Sequence, residues 1–232
     1  MMHGTTRSSR GGAPRGGPDL GHAARELARR VVLAAALALA ALGLGQGPAV
    51  AAEHPAQAMV EEAVNEALDV LRTRKDELVE NPDLLRSEVD RIVVPHVDFN
   101  TMTKLAVGKH WRRADAGQKT ELVTEFKSLL LNTYAGALNQ YSGQDISFEP
   151  FRPESRPDRA VVRSTFEQSG GARDVPVLYK LRDKDGWLIY DIEVDNISLV
   201  TNYRTAFANE ISRGGVAGLI DTLKRRNAGK KL

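Results

Sequence analysis

Apolar residues recur at steps of three and four from Gln57 to Glu80, with Val60, Val64, Ala67, Leu68 and Leu71 on one face, so the first element is an amphipathic helix. Asn81-Pro82-Asp83 then reads as a helix start: asparagine caps free N–H groups, and proline at the first helical position forfeits no hydrogen bond. Leu84, Leu85, Val89 and Ile92 continue at helical spacing until Pro95. A third helix is predicted from Asp98, carrying Phe99, Met102 and Leu105 up to Gly108. Asp115 followed by Gln118 makes a capping-box pattern, and no proline interrupts the chain from there to Tyr141. Along that stretch Leu122, Phe126, Leu129, Thr133, Ala137 and Tyr141 form a stripe, widened by Leu130, Tyr134 and Leu138. So broad an apolar face needs a broad partner.

The period then shortens to two. Ile146 to Pro150, Val161 to Glu167, Val175 to Arg182 and Trp187 to Val194 are rich in β-branched and aromatic residues and separated by Pro, Gly and Asp clusters, as strands are. Asp185-Gly186 predicts a two-residue hairpin that makes the last two runs antiparallel neighbours. Alternation puts Val175, Val177, Tyr179 and Leu181 on one face of the third run. In the fourth it groups Leu188, Tyr190, Ile192 and Val194 against Trp187, Ile189, Asp191, Glu193 and Asp195. Leu199, Tyr203, Phe207 and Ile211 then step by four to Gly214-Gly215, and Val216, Leu219, Ile220 and Leu223 close the chain with a short helix. Helices, strands and helices again, without a repeat, predict an α+β fold: a small twisted antiparallel sheet of about four strands packed against several helices, with an apolar cavity between them.

The N-terminal region changes the electrostatic picture. Val31 to Leu44 is apolar, follows Arg29-Arg30 and precedes the small-residue run Ala49 to Ala52, the layout of a cleaved secretory signal. As a helix it would rise only ~21 Å against ~30 Å of hydrocarbon, too short for a spanning anchor. The organisation read from this is a Gly/Arg/Ser/Pro-rich extension over 1–30, a signal segment over 31–52 cleaved after Ala51 or Ala52, one domain over 53–228 and a basic tail over 229–232. Removing the six arginines and two acids of residues 1–52 from the chain's 32 basic and 30 acidic residues leaves 26 and 28, a net of −2. No basic stripe for nucleic acid remains. Lys224, Arg225, Arg226, Lys230 and Lys231 read as a solvated helix end favoured by the helix dipole, ahead of a contact with anionic membrane. With no cysteine in an exported chain, stability comes from burial, and neither a disulfide framework nor a thiolate metal site is available.

The chain lacks a glycine-rich phosphate loop, a Gly-x-Ser-x-Gly elbow and a histidine pair at metal-binding spacing, so no metal, cofactor or catalytic residue is expected. His96 and His110 stand alone near helix ends. One enzymatic alternative comes from the last strand, where Asp191, Glu193 and Asp195 share a face ~7 Å apart, a separation open to the acid–base pair of an inverting glycosidase. That alternative is a periplasmic hydrolase using Asp191 and Glu193. The preferred account of the acids is a solvated strand face tied by ion pairs to Lys180 and Arg182.

Taken in order, Asn81-Pro82-Asp83-Leu84-Leu85-Arg86, Ala106-Val107-Gly108-Lys109-His110-Trp111 and the helix with Tyr134 and Tyr141 resemble the MlaC family, also called the toluene-tolerance auxiliary component. Trp187, Tyr190-Asp191, Ile197-Ser198-Leu199-Val200, Tyr203-Arg204, Phe207 and Gly214-Gly215-Val216-Ala217-Gly218-Leu219-Ile220 continue the same order and spacing. The resemblance implies a periplasmic carrier, not an enzyme, that shuttles phospholipid between an outer-membrane lipoprotein–porin complex and an inner-membrane ABC transporter and so maintains outer-membrane lipid asymmetry. A diacyl phospholipid would be its ligand, and a monomer is expected. Two chains of about 15 methylenes would cost roughly 24 kcal/mol to expose to water at ~0.8 kcal/mol per methylene, so such a carrier must hide them. The candidate lining is Phe99, Phe126, Leu130, Tyr134, Val162, Phe166, Val177, Tyr179, Tyr190, Ile192, Tyr203 and Phe207, with Arg204 the candidate for a headgroup contact.

Overall fold

A computed structural model describes residues 53–135, 143–168 and 173–229. The extension over 1–30, the signal segment, Leu138, Tyr141, Lys230 and Lys231 lie outside the described residues. Five α-helices, two 3₁₀ turns and five strands are described: α1 (Pro55–Glu80), α2 (Pro82–Ile92), a turn at Val94–His96, α3 (Phe99–Val107), a turn at Gly108–Arg113, α4 (Ala116–Ala135), β1 (Asp145–Phe148), β2 (Arg159–Glu167), β3 (Val175–Asp183), β4 (Trp187–Val194), β5 (Ile197–Ser198) and α5 (Leu199–Ala228). The strands form one antiparallel meander in the order β1-β2-β3-β4-β5. The α+β class is as the pattern predicted.

The helix starts follow their capping residues. Asn81 accepts from the Leu84 N–H at 3.1 Å, with Pro82 opening α2. Asp98 accepts from the Thr101 N–H at 2.8 Å and from its hydroxyl at 2.7 Å. The capping box is reciprocal: Asp115 accepts from the Gln118 N–H at 2.8 Å, and the Gln118 amide oxygen accepts from the Asp115 N–H at 3.2 Å. α1 bends at Arg74, whose guanidinium donates to Glu77 and, at 2.6 Å, to Glu88 of α2. α5 breaks at Gly215, where φ +66 and ψ −168 form a backbone state reserved in practice for glycine.

Three details of the sheet depart from the pattern, and each has a local cause. β5 adds a two-residue fifth strand, joined to β4 by Asp195 (φ +49) and Asn196 (φ +65), so the two-residue turn with positive φ at both positions falls here. The Asp185-Gly186 hairpin instead closes on the Asp183/Trp187 pair and leaves three loop residues, because the Asp183 carboxylate accepts from the Gly186 N–H at 3.1 Å. The third is a bulge. Lys180 pairs with Asp191 while Leu181 pairs with Ile189, which leaves Tyr190 extra and reverses the alternation. Trp187 and Ile189 therefore share a face with Ile192 and Val194, and Leu188 stands opposite.

Candidate functional site

The inner face of the sheet is apolar across its width. β2 turns Ala160, Val162, Ser164 and Phe166 inward, β3 Val177, Tyr179 and Leu181, and β4 Ile189 and Val194, all buried. α1 covers this face with Val60, Leu68, Leu71 and Leu78, and Leu85 of α2 joins the same cluster. A second apolar cluster lies among the helices. Met102 and Ala106 of α3, Leu122, Phe126, Leu129 and Leu130 of α4, and Tyr203, Phe207 and Leu219 of α5 build it around an aromatic triad. The Phe126 ring meets Tyr203 and Phe207 edge-on at 4.9 and 5.0 Å, an arrangement that aligns ring edges with ring faces.

Val97 is the seam, packing against both clusters. The next residue fastens the seam to the sheet, since the Asp98 N–H donates to the Ile189 carbonyl at 2.8 Å and the Asp98 carboxylate lies 3.3 Å from Arg182. Burial raises the Asp98 carboxyl, but the Thr101 hydrogen bonds and the charges of Arg182 and Lys184 outweigh it and hold the group below its ordinary range.

The predicted lining residues divide between the two clusters. Val162, Phe166, Val177, Tyr179 and Ile192 belong to the sheet side, and Phe99, Phe126, Leu130, Tyr203 and Phe207 to the helical side. Tyr190, the bulge residue, is half-buried outside both, with the Arg159 guanidinium 5.4 Å from its ring centre. The Tyr134 side chain lies outside the described residues. Ser164 was missed: it occupies the same alternation as Val162 and Phe166, and period two alone would have placed it inside.

Ser164 and Tyr179 are buried polar groups on the inner face of the sheet, and Gln57 of α1 is another, its amide donating to Glu61 at 2.8 Å and to the Glu149 carbonyl at 3.2 Å. Burial pushes the Tyr179 phenol up to about 12, a hydrogen bond with Ser164 pulling slightly the other way, so the ring stays neutral across physiological pH. His54 stacks on Phe151 with ring centres 3.9 Å apart at the edge of the sheet-side cluster, and Asp98 and Asp191 are the buried carboxylates among the described residues. Among the described residues no group of three His, Cys, Asp or Glu is placed to hold a metal.

The strand acids are engaged in structure. Asp191 is buried, accepting from the Ser198 hydroxyl at 2.7 Å and the Val200 N–H at 3.1 Å, with the Lys180 ammonium 3.5 Å away. Glu193 accepts from the same ammonium at 2.7 Å, and Asp195 from Arg173 at 3.0 Å. Burial alone would lower Lys180, but Glu193 and Asp191 outweigh it and raise it above its ordinary value. Asp191 thus ties β4 to β5 and the first turn of α5, and the cross-strand pairing expected of Lys180 is present. Arg204 is exposed and donates from Nε to the Leu105 carbonyl at 2.9 Å, at the C-terminal end of α3.

A meander whose apolar inner face is covered by helices defines an α+β protein. The MlaC protein family matches residues 61–225, and the chain belongs to that family. It is 29% identical over 168 residues to the toluene tolerance protein ttg2D of Pseudomonas putida, covering 72% of this chain and 77% of that one. The intermembrane phospholipid transport system binding protein MlaC of Haemophilus influenzae is 21% identical, covering 75% of this chain and 83% of its own. The fold superposes with a TM-score of 0.70 on the phospholipid-binding protein of Ralstonia solanacearum solved in complex with a phospholipid; the two are 36% identical over 76% of this chain and 98% of that one.

Proposed function

We propose that this chain is a periplasmic phospholipid carrier that holds the acyl chains of a diacyl lipid between the inner face of the sheet and the helices, and that residues 31–52 direct its export. The observation that carries the reading is the 36% identical fold neighbour, solved with a phospholipid and matched over nearly its whole length. The apolar inner face of the sheet supports it, since acyl chains offer no hydrogen bond, and the buried carboxylates Asp98 and Asp191 are each paired with a cation. A carrier needs no nucleophile and no cofactor. It collects lipid at one membrane and releases it at the other, and we assign it the two membrane complexes such a circuit requires: an outer-membrane lipoprotein–porin assembly and an inner-membrane ABC transporter.

The test is lipid uptake by the mature protein from labelled phospholipid vesicles, measured after vesicles and protein are separated. Val177→Phe and Ile192→Phe enlarge side chains on the sheet face, and overpacking costs about 1–3 kcal/mol, so thermal melts accompany the uptake assay. Folded variants with uptake reduced at least ~10-fold support the sheet-face site. Folded variants that load as well as the wild type would contradict it.

A further inference from the structure

The cations of the described residues are mostly spoken for. Arg74 and Arg91 pair with Glu88, Lys127 with Asp90, Arg163 with Glu154, Lys180 with Asp191 and Glu193, and Lys224 with Glu121. Arg86, Lys184, Arg225 and Arg226 also form no ion pair among the described residues, and one further region gathers several such cations. From Phe99 to Thr120 the sequence carries Lys104, Lys109, Arg112, Arg113 and Lys119 against a single acid, Asp115. Asp115 is occupied as the cap of α4. None of these five cations forms an ion pair among the described residues.

The cations are gathered in space as well as in sequence. Lys104, Lys109, Arg112 and Arg113 are exposed at the end of α3 and along the turn that follows it. Arg204 adds a sixth charge there through its bond to the Leu105 carbonyl, and it too has no ion pair among the described residues. Lys119 sits 5.9 Å from the Trp111 ring, joining the start of α4 to the same surface. The mature chain is net negative, so this local excess is not a reflection of overall charge.

The geometry points to this surface as the face that meets an anionic phospholipid bilayer. Six unpaired cations lower the stability of the isolated protein slightly by mutual repulsion and lower it less when a dense negative surface is near. An anionic leaflet is such a surface, and it is read by solvated Lys and Arg without any inserted side chain. The exposed large apolar residues described, Val79, Val93 and Ile197, all lie in other elements, so this surface offers charge without an apolar anchor. The inference rests on the carrier reading only for the reason that a bilayer is approached at all.

The test is co-sedimentation of the mature chain, with whatever lipid it retains, on phosphatidylcholine vesicles with and without phosphatidylglycerol, at low and high salt. Each basic residue near an anionic leaflet strengthens association about fivefold, so Lys109→Gln/Arg112→Gln/Arg113→Gln together should weaken binding to the anionic vesicles about a hundredfold at low salt. Salt should abolish the wild-type association as the screening length falls from about 10 Å to about 3 Å. The control Arg152→Gln/Arg156→Gln/Arg173→Gln removes three exposed, paired cations elsewhere and should leave binding near the wild-type level. Melts confirm that both variants fold. A wild type that ignores phosphatidylglycerol, or a folded triple variant that binds like the wild type, overturns the proposal; the first result would hand the surface to an acidic protein. Lipid extraction from the purified chain before vesicles are added, together with the uptake assay, separates the two ideas, because a chain that is empty and takes up no lipid but still sediments upholds the surface while contradicting the carrier.

Discussion

Asp98 carries three tasks in one side chain: it caps α3, sits against Arg182 and, through its backbone, joins the seam to β4. Asp98→Ala should cost about 2 kcal/mol in chemical denaturation, the sum of a lost cap and a weakened partner for Arg182. The pH dependence follows from the sign of its shift. Its carboxyl is depressed in the folded state, so its contribution is complete above the unfolded value near 4 and disappears as pH falls through the lower, folded value. The stability gap between wild type and Asp98→Asn should therefore narrow below about pH 4, and a gap constant down to pH 2 would contradict the depressed value. Residues such as this were legible because a cap is a local code: Asn81, Asp98 and Asp115 each bond a group three residues ahead. Burial of Ser164 was less legible, because a hydroxyl in an apolar alternation satisfies the period and violates only the composition.

Among the elements, α5 and the β4–α5 junction make the sharpest predictions. Gly214 has an ordinary φ and open space around its missing Cβ, whereas Gly215 holds φ +66. Gly214→Ala should hold or raise stability by up to about 1 kcal/mol, while Gly215→Ala should lower it by about 1–3 kcal/mol. Equal melts for the two would remove the case for a required break. Asp191→Ala frees the Ser198 hydroxyl and the Val200 N–H, which should cost about 3 kcal/mol. Hydrogen exchange should then speed up in β5 and the first turn of α5 while the amides of β2 stay protected. The elements themselves were readable from period and caps. The Tyr190 bulge was not, because one extra residue leaves no compositional mark, yet it turned Ile189 inward and Leu188 outward.

The whole molecule adds what faces alone do not state. Amphipathic helices and strands declare that each buries a side, but not which sides meet, and the structure sorts ten of the twelve candidate residues into a sheet-side and a helical-side group with Val97 between them, leaving Tyr190 outside both and Tyr134 beyond the described side chains. Sequence order and spacing across nearly the entire mature chain carried the family further than any single motif, and the family match over residues 61–225 agrees. The division into two clusters depends on long-range packing that no local pattern encodes. The central claim is that this interior holds phospholipid. Native mass spectrometry of the chain from Glu53, exported and purified without detergent and followed by lipid extraction, tests it directly: the account predicts a stoichiometric diacyl phospholipid, and an empty protein that also takes none from vesicles would contradict it.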